Sequence, residues 1–549
     1  MEGVVRFECR DNNLEIYVVQ PGERLTIYGS CSLLCLAGNA SINDYILPTV
    51  SCEPSNFLKI SAPVKMEVPA ILAVGVAGPN YKHARLKFRL KEVAPKGHEQ
   101  IMATIGETQP AVLIFNKILD PAEEILTGIV ANFLIQSFTQ KQIIMPPRYH
   151  ITRDDFAIIP LEDAVQLRAQ LERLNTLRKD GQRTSILPYG HKGAGKSHLM
   201  RNLVNRCLSG GYDSVYVLDC DIGQSEFTPA GCLSLHKITS PILDKPYGHQ
   251  KAKFENAYFF GDNTVRNTHL YMDIFERLWN KFREVSEPGS VCVINTMGWI
   301  TDTGAEMLAH IINVTEPDLC VEIFRSQTEP RFLFPNNCKV ARLSIFANNS
   351  TGIIGQPAQK RLPPVLIREL TVVGYFASLL SRPSIASFPQ VAPYSLKFQN
   401  TTICIPPDLL VQDCHVFSSI NTQLVALCFN HSELRPRRLC GMADMPNLCV
   451  IDNNSPALQC IGFAIVRGVS VEQRTVYVVS PIDLRQLDEP PILVRGMRIQ
   501  TPAVFFTADP YNRCPYVLNL PSAGNRSSNL EGLYQPATNS TKFKRSRRF

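Results

Sequence analysis

Gly190-His191-Lys192-Gly193-Ala194-Gly195-Lys196-Ser197 is the stretch that decides the fold. It fits G-x-x-x-x-G-K-[ST], the phosphate loop of nucleotide-triphosphate enzymes. The glycines let the backbone bend so that successive N–H groups face a phosphate chain, and the helix that follows points its positive end at the same phosphates. Lys196 is placed to reach the β- and γ-phosphates, and the Ser197 hydroxyl to coordinate Mg²⁺. The context agrees. TSILPYG before the loop reads as a strand, and a helix is expected from Lys196 to about Leu208.

One helix and one turn later, Val215-Tyr216-Val217-Leu218-Asp219-Cys220-Asp221-Ile222-Gly223-Gln224 is an apolar strand ending in acids. The second strand of a βαβ unit delivers a carboxylate to Mg²⁺ at this place. Asp219 and Asp221 are two apart, so on a strand both point to one side. One can serve the metal and the other can take a proton from an attacking hydroxyl. A third apolar strand ends in Asn295-Thr296-Met297-Gly298-Trp299-Ile300, at the edge where parallel sheets bind ligands. Trp279, the other of the two tryptophans, has helical spacing to apolar neighbours and reads as core. Phosphoryl transfer also needs cations on the migrating charge. Candidates lie in Lys360-Arg361-Leu362-Pro363-Pro364-Val365-Leu366-Ile367-Arg368-Glu369-Leu370, where a solvated helix face explains the charges equally well.

Working outward, residues from about 148 to 390 alternate strands with helices, which predicts a central α/β domain with a parallel sheet covered on both faces. Leu167, Leu171 and Leu174 mark a first helix, with Gly181 as its stop. Residues 1–147 are short apolar runs cut by turns, which suits a β-rich, sandwich-like domain. It ends in a helix capped by Asp120 with Pro121 in its first turn, and Met145-Pro146-Pro147 marks the boundary. Residues 391–520 read as a mixed, strand-rich domain, and 521–549 as a disordered basic tail.

The chain has 549 residues, of which 45% are hydrophobic and 19% charged, an ordinary globular mix for about three domains. The charged start reads as no signal peptide, and no run is long and apolar enough for a membrane span. The 17 cysteines read as free thiols of a reducing compartment, and Cys31 and Cys35 lack a second pair at zinc spacing. The net charge is +7; Lys542, Lys544, Arg545, Arg547 and Arg548 gather five positive charges in the tail, which favours polyanions or nuclear import.

These residues together resemble one family of P-loop kinases. Its branches are the polyribonucleotide 5′-hydroxyl kinase of the mRNA 3′-end cleavage factor and the nucleolar 5′-hydroxyl kinase of pre-ribosomal RNA processing. G-x-K-x-x-G-K-S, D-x-D-x-G-Q and N-T-x-G-W recur in that family in this order. FTPAGCLSLHKITSP, NAYFFGDNT and QPGERLTIYGS look familial as well. LQCIGFAIVRGVSVEQRTVYVVSPID and the basic tail resemble the nucleolar branch. The resemblance spans most of residues 15 to 515.

It implies that Lys196 and Ser197 hold phosphate and Mg²⁺, and that Asp221 is the general base on an RNA 5′-hydroxyl. Asp219 would support the metal shell and Gln224 would orient acceptor or metal. Thr296, Gly298 and Trp299 would form a clasp on the phosphates, and Arg361 and Arg368 would act as lid cations. Two arginines four apart are not found at the expected place for the lid, and His191 stands where the family has proline. The implied substrate is the 5′-hydroxyl left by cleavage of the second internal transcribed spacer of pre-rRNA, ahead of large-subunit rRNA maturation. The implied partner is a HEPN-domain endoribonuclease, and the implied place is the nucleolus. Two alternatives stay open: an ATP-binding scaffold without catalysis, and a kinase of the mRNA 3′-end or tRNA-splicing machinery.

Overall fold

The computed structural model describes residues 3–9, 13–62, 70–75, 82–105, 108–116, 124–130, 149–152, 161–334, 341–346, 362–380, 385–409, 411–429, 434–451, 455–506 and 517–519. Five parallel strands form its centre, in the order Ala341–Phe346, Leu319–Phe324, Thr184–Tyr189, Val291–Asn295 and Val215–Asp219. Alternate residues of each strand feed opposite faces. Ile186, Val215, Val217, Val291 and Val293 pack with Leu199 and Leu203 of the helix Lys196–Ser209 and with Leu167 and Leu174 of the helix Leu161–Lys179. Leu187, Tyr216, Leu218, Cys292 and Ile294 pack on the other face, against Tyr271, Phe275 and Trp279 of the helix Thr268–Val285. Trp279 is core, as its spacing predicts.

The parallel sheet expected for the central region is present but is extended by antiparallel strands. Beyond Val215–Asp219 the sheet continues antiparallel through Cys232–Ile238 and Ala257–Phe259. Ala257–Phe259 then pairs with Leu458–Ser470, so the central and C-terminal strands belong to one mixed sixteen-stranded sheet. The reason is physical: an apolar strand buried on both faces reads the same whichever way its neighbour runs.

The N-terminal region is a nine-stranded sheet built on the long strand Arg24–Ala37. One face carries Leu25, Ile27, Leu33 and Val19; the other carries Leu34, Leu36, Ile16 and Val18. Two helices absent from the sequence reading, His83–Val93 and His98–Ile105, cover the second face with Leu86, Leu90, Ile101 and Ile105. The charges of His83–Val93 hide its helical apolar stripe, and His98–Ile105 is only eight residues long. Tyr149–Thr152, beyond the boundary drawn at residue 147, pairs with Arg24–Ala37 of this sheet. Asp120, Pro121 and Met145–Pro147 lie outside the described residues, as does the tail; residues 124–130 are helical.

The N-terminal sheet is fastened to the phosphate-loop helix. Asn205 Nδ2 donates to Asn43 O at 3.0 Å, Arg206 Nη2 to Asp44 Oδ1 at 2.9 Å, and Ile46 N to Ser209 Oγ at 2.8 Å. No helix among the described residues is long and apolar enough to cross a membrane.

Candidate active site

The phosphate loop leaves the strand Thr184–Tyr189 at the C-terminal edge of the parallel strands. Gly195, immediately before the helix Lys196–Ser209, has φ +113°, a conformation that other L residues rarely adopt. Lys196 is buried at 6% exposure, and its Nζ donates to Gly190 O at 3.0 Å and His191 O at 3.1 Å. Burial pulls its ammonium down to about 8, with Asp221 opposing the shift. The His191 ring turns away from the loop, Nε2 lying 2.6 Å from Pro330 O, so the side chain leaves the phosphate position clear. Lys192 and Gly193 are exposed, Ala194 is buried and Ser197 is half-buried at the first turn of the helix.

The two acids are held differently. Asp219 is 1% exposed; its Oδ1 accepts from Asn295 Nδ2 at 2.8 Å and its Oδ2 from Glu226 N at 2.7 Å. Burial pushes its carboxyl up to about 7. Asp221 is part-exposed and uses one oxygen, Oδ1, to accept from Gly223 N at 3.1 Å and Gln224 N at 3.0 Å. Its Oδ2 has no hydrogen-bond partner among the described residues. Burial raises this carboxyl, opposed by Lys196 and by the two loop N–H groups. Asp219 therefore braces the loop from which Asp221 projects.

The third motif closes against the first. Thr296 Oγ1 donates to Pro188 O at 3.2 Å, so this hydroxyl ties two strands together. A methyl added to Gly298 would lie 2.5 Å from Lys192 Cα, so only glycine lets the two loops meet this closely. Trp299 is 38% exposed and rests over Gly304 at the start of the helix Asp302–Thr315. Arg368 sits half-buried on the helix Pro364–Ala377, with Asp221 among the charges acting on it; burial lowers its pKa. That helix is core rather than a solvated face, since Leu370, Val373 and Phe376 are buried. Arg361 lies outside the described residues. Gln224 is joined to Asp221 through its backbone, and its side chain is part-exposed.

Two residues at the site carry no motif. Glu226, 1% exposed, accepts from Arg201 at 2.7 and 2.9 Å and lies 3.2 Å from His249 Nε2. Burial alone would raise its carboxyl; Arg201 and His249 outweigh that and hold it down at about 2. Arg325 follows the strand Leu319–Phe324 directly, and its Nη2 donates to Lys192 O at 3.4 Å. The only signal in the sequence is its place just past an apolar strand, where parallel sheets expose ligand-binding groups.

With this geometry in place, the relatives are informative. A polynucleotide 5′-hydroxyl-kinase, nol-9, of Caenorhabditis elegans is 70% identical over 549 residues, covering 100% of both chains. The chain belongs to the polynucleotide 5′-hydroxyl-kinase family. The Caenorhabditis briggsae member is 65% identical over 516 residues, covering 93% of this chain and 94% of its own. The human member, NOL9, is 26% identical over 347 residues, 55% of this chain and 47% of its own. The family model described as the mRNA cleavage and polyadenylation factor CLP1 P-loop matches residues 190–378, the stretch from the phosphate loop through the helix bearing Arg368. Among solved structures, a wild-type Clp1p–Pcf11p complex superposes with TM-score 0.50 at 13% identity, covering 89% of this chain and 99% of that one. That likeness speaks for the fold of this kinase family member, a P-loop kinase core within mixed sheets.

Proposed function

We propose that this kinase transfers the γ-phosphate of ATP to the 5′-hydroxyl end of RNA. The observation that carries the reading is the arrangement around Asp221. A carboxylate oxygen without a hydrogen-bond partner among the described residues lies on an acid that the phosphate-loop lysine and Arg368 both reach electrostatically.

Asp221 is the general base. Its raised carboxyl can take the 5′-hydroxyl proton at Oδ2 while Gly223 N and Gln224 N fix Oδ1. Lys196 would exchange the carbonyls of Gly190 and His191 for phosphate oxygens, and Arg368 would meet charge on the migrating phosphoryl. Gly298 and Trp299 keep the clasp against the phosphate loop, with Thr296 anchoring its strand. The donors present, the Ser197 hydroxyl and the Asp219 carboxylate, are the hard oxygens Mg²⁺ takes. When bound, Mg²⁺ would neutralise charge on the phosphates. Asp219, with both oxygens already engaged, would act on that shell through its remaining lone pairs.

The same reading extends to the substrate. The RNA would be the cleaved second internal transcribed spacer of pre-rRNA, the partner a HEPN-domain endoribonuclease, and the location the nucleolus. What supports it is the family and the similarity to chains named nol-9 and NOL9.

Transfer of labelled γ-phosphate to a short 5′-hydroxyl RNA, with wild type beside Lys196→Ala, tests the activity. Label with wild type only is expected. No label, with or without the nuclease, would leave an ATP-binding scaffold as the better account.

A further inference from the structure

Arg325 stands on the side of the phosphate loop away from the acids. Its strand, Leu319–Phe324, flanks Thr184–Tyr189 on one side, with Tyr189 opposite Glu322, while Asp219 lies two strands away on the other. The chain therefore emerges beside the loop, and the guanidinium reaches it. Nη1 lies 3.8 Å from where a Cβ on Gly193 would sit, and Nη2 lies 3.4 Å from Lys192 O.

The guanidinium is held loosely by the protein. The Nε is buried and makes no hydrogen bond among the described residues, with the Glu329 carboxylate 3.7 Å away. That carboxylate already accepts from Arg325's own backbone N–H at 3.0 Å. The side chain stays 33% exposed. Two cations, Lys196 and Arg325, thus converge on one loop, the first on the carbonyls of Gly190 and His191 and the second on that of Lys192. Such an arrangement is relieved by a polyanion. The segment carrying Arg325 is also braced in advance: Pro330 O meets His191, and Phe332 and Phe334 pack edge-on against Tyr189.

We propose that Arg325 is a nucleotide-binding residue that grips the phosphate chain of ATP from the side of the loop opposite Asp221. The inference rests on ATP being the phosphoryl donor. The alternative is a prop that only steadies the loop through Lys192 O.

The experiment is direct binding of a fluorescent ATP analogue with Mg²⁺ to the full chain, without RNA, for wild type, Arg325→Met, Arg325→Lys and Lys196→Ala. Arg325→Met keeps the apolar stem and removes the charge. Its Kd for ATP is expected to rise about tenfold or more, with thermal midpoint unchanged and KM for RNA unchanged. Arg325→Lys should recover part of the loss, because the charge returns without the fork. Arg325→Met binding ATP as wild type does would overturn the inference. So would equal losses in Met and Lys variants accompanied by a lower melting point, which would mark a prop. If wild type itself fails to bind ATP, the donor assignment fails rather than the role of Arg325 within it.

Discussion

Gly298→Ala tests whether the clasp and the phosphate loop meet as the structure places them. The added methyl would lie 2.5 Å from Lys192 Cα, 2.6 Å from Lys192 N and 2.9 Å from Lys196 Nζ. Carbon atoms in contact sit ~3.5–4.0 Å apart, so one loop must move by about 1 Å. The lysine tip can swing aside, but Lys192 Cα and N belong to the loop that cradles phosphate. Overpacking of this kind costs about 1–3 kcal/mol of stability. A shift of about 1 Å in a positioning group costs about 100-fold in rate. Label transfer at limiting substrate should therefore show kcat/KM down about 100-fold, with a modest fall in melting point. Gly97→Ala is the control, because a methyl there meets nothing within 4 Å. If Gly298→Ala keeps activity within about threefold of wild type, the two loops do not abut in the working enzyme.

Asp221→Asn should remove the base and lower kcat by about 100-fold or more while leaving the Kd for ATP near wild type, checked by single-turnover kinetics. The kcat/KM for ATP should fall on the alkaline side of about pH 8 as Lys196 loses its proton in the free enzyme; a flat profile through pH 9.5 refutes the assignment. Glu226 has its folded pKa depressed to about 2, so it contributes stability above its unfolded value that is lost as pH falls toward 2, worth about 3 kcal/mol. Glu226→Gln should abolish that acid-limb slope in chemical denaturation and destabilise by about 3 kcal/mol, since the carboxylate held by Arg201 and His249 is gone. Gly304→Ala places a methyl 2.4 Å from Trp299 Cγ, and it should displace the ring and raise the KM for ATP or RNA in the transfer assay.

The phosphate loop was legible from sequence because its requirements are local. Glycines, a lysine and a hydroxyl at fixed spacing between a strand and a helix suffice, and Lys196 stands where that spacing puts it. The alternation of strands and helices likewise announced four of the five parallel strands, all but Ala341–Phe346, and the core role of Trp279. The resemblance gave Asp219 and Asp221 different roles, but how each acid is held was not legible in the residues themselves. Nothing in D-x-D says which acid is turned inward; Asn295 and Glu226, 76 and 7 residues away in sequence, decide it by bonding both oxygens of Asp219. The same holds for the antiparallel extension into Leu458–Ser470, since pairing direction leaves no mark on a strand buried on both faces. Arg325 belongs with these. Its chemistry depends on which strand lies beside Thr184–Tyr189, and only folding brings residues 192 and 325 together. Local geometry is written in adjacent residues, whereas the partners of a buried charge come from strands far apart in the chain, so the tertiary structure alone assigns them.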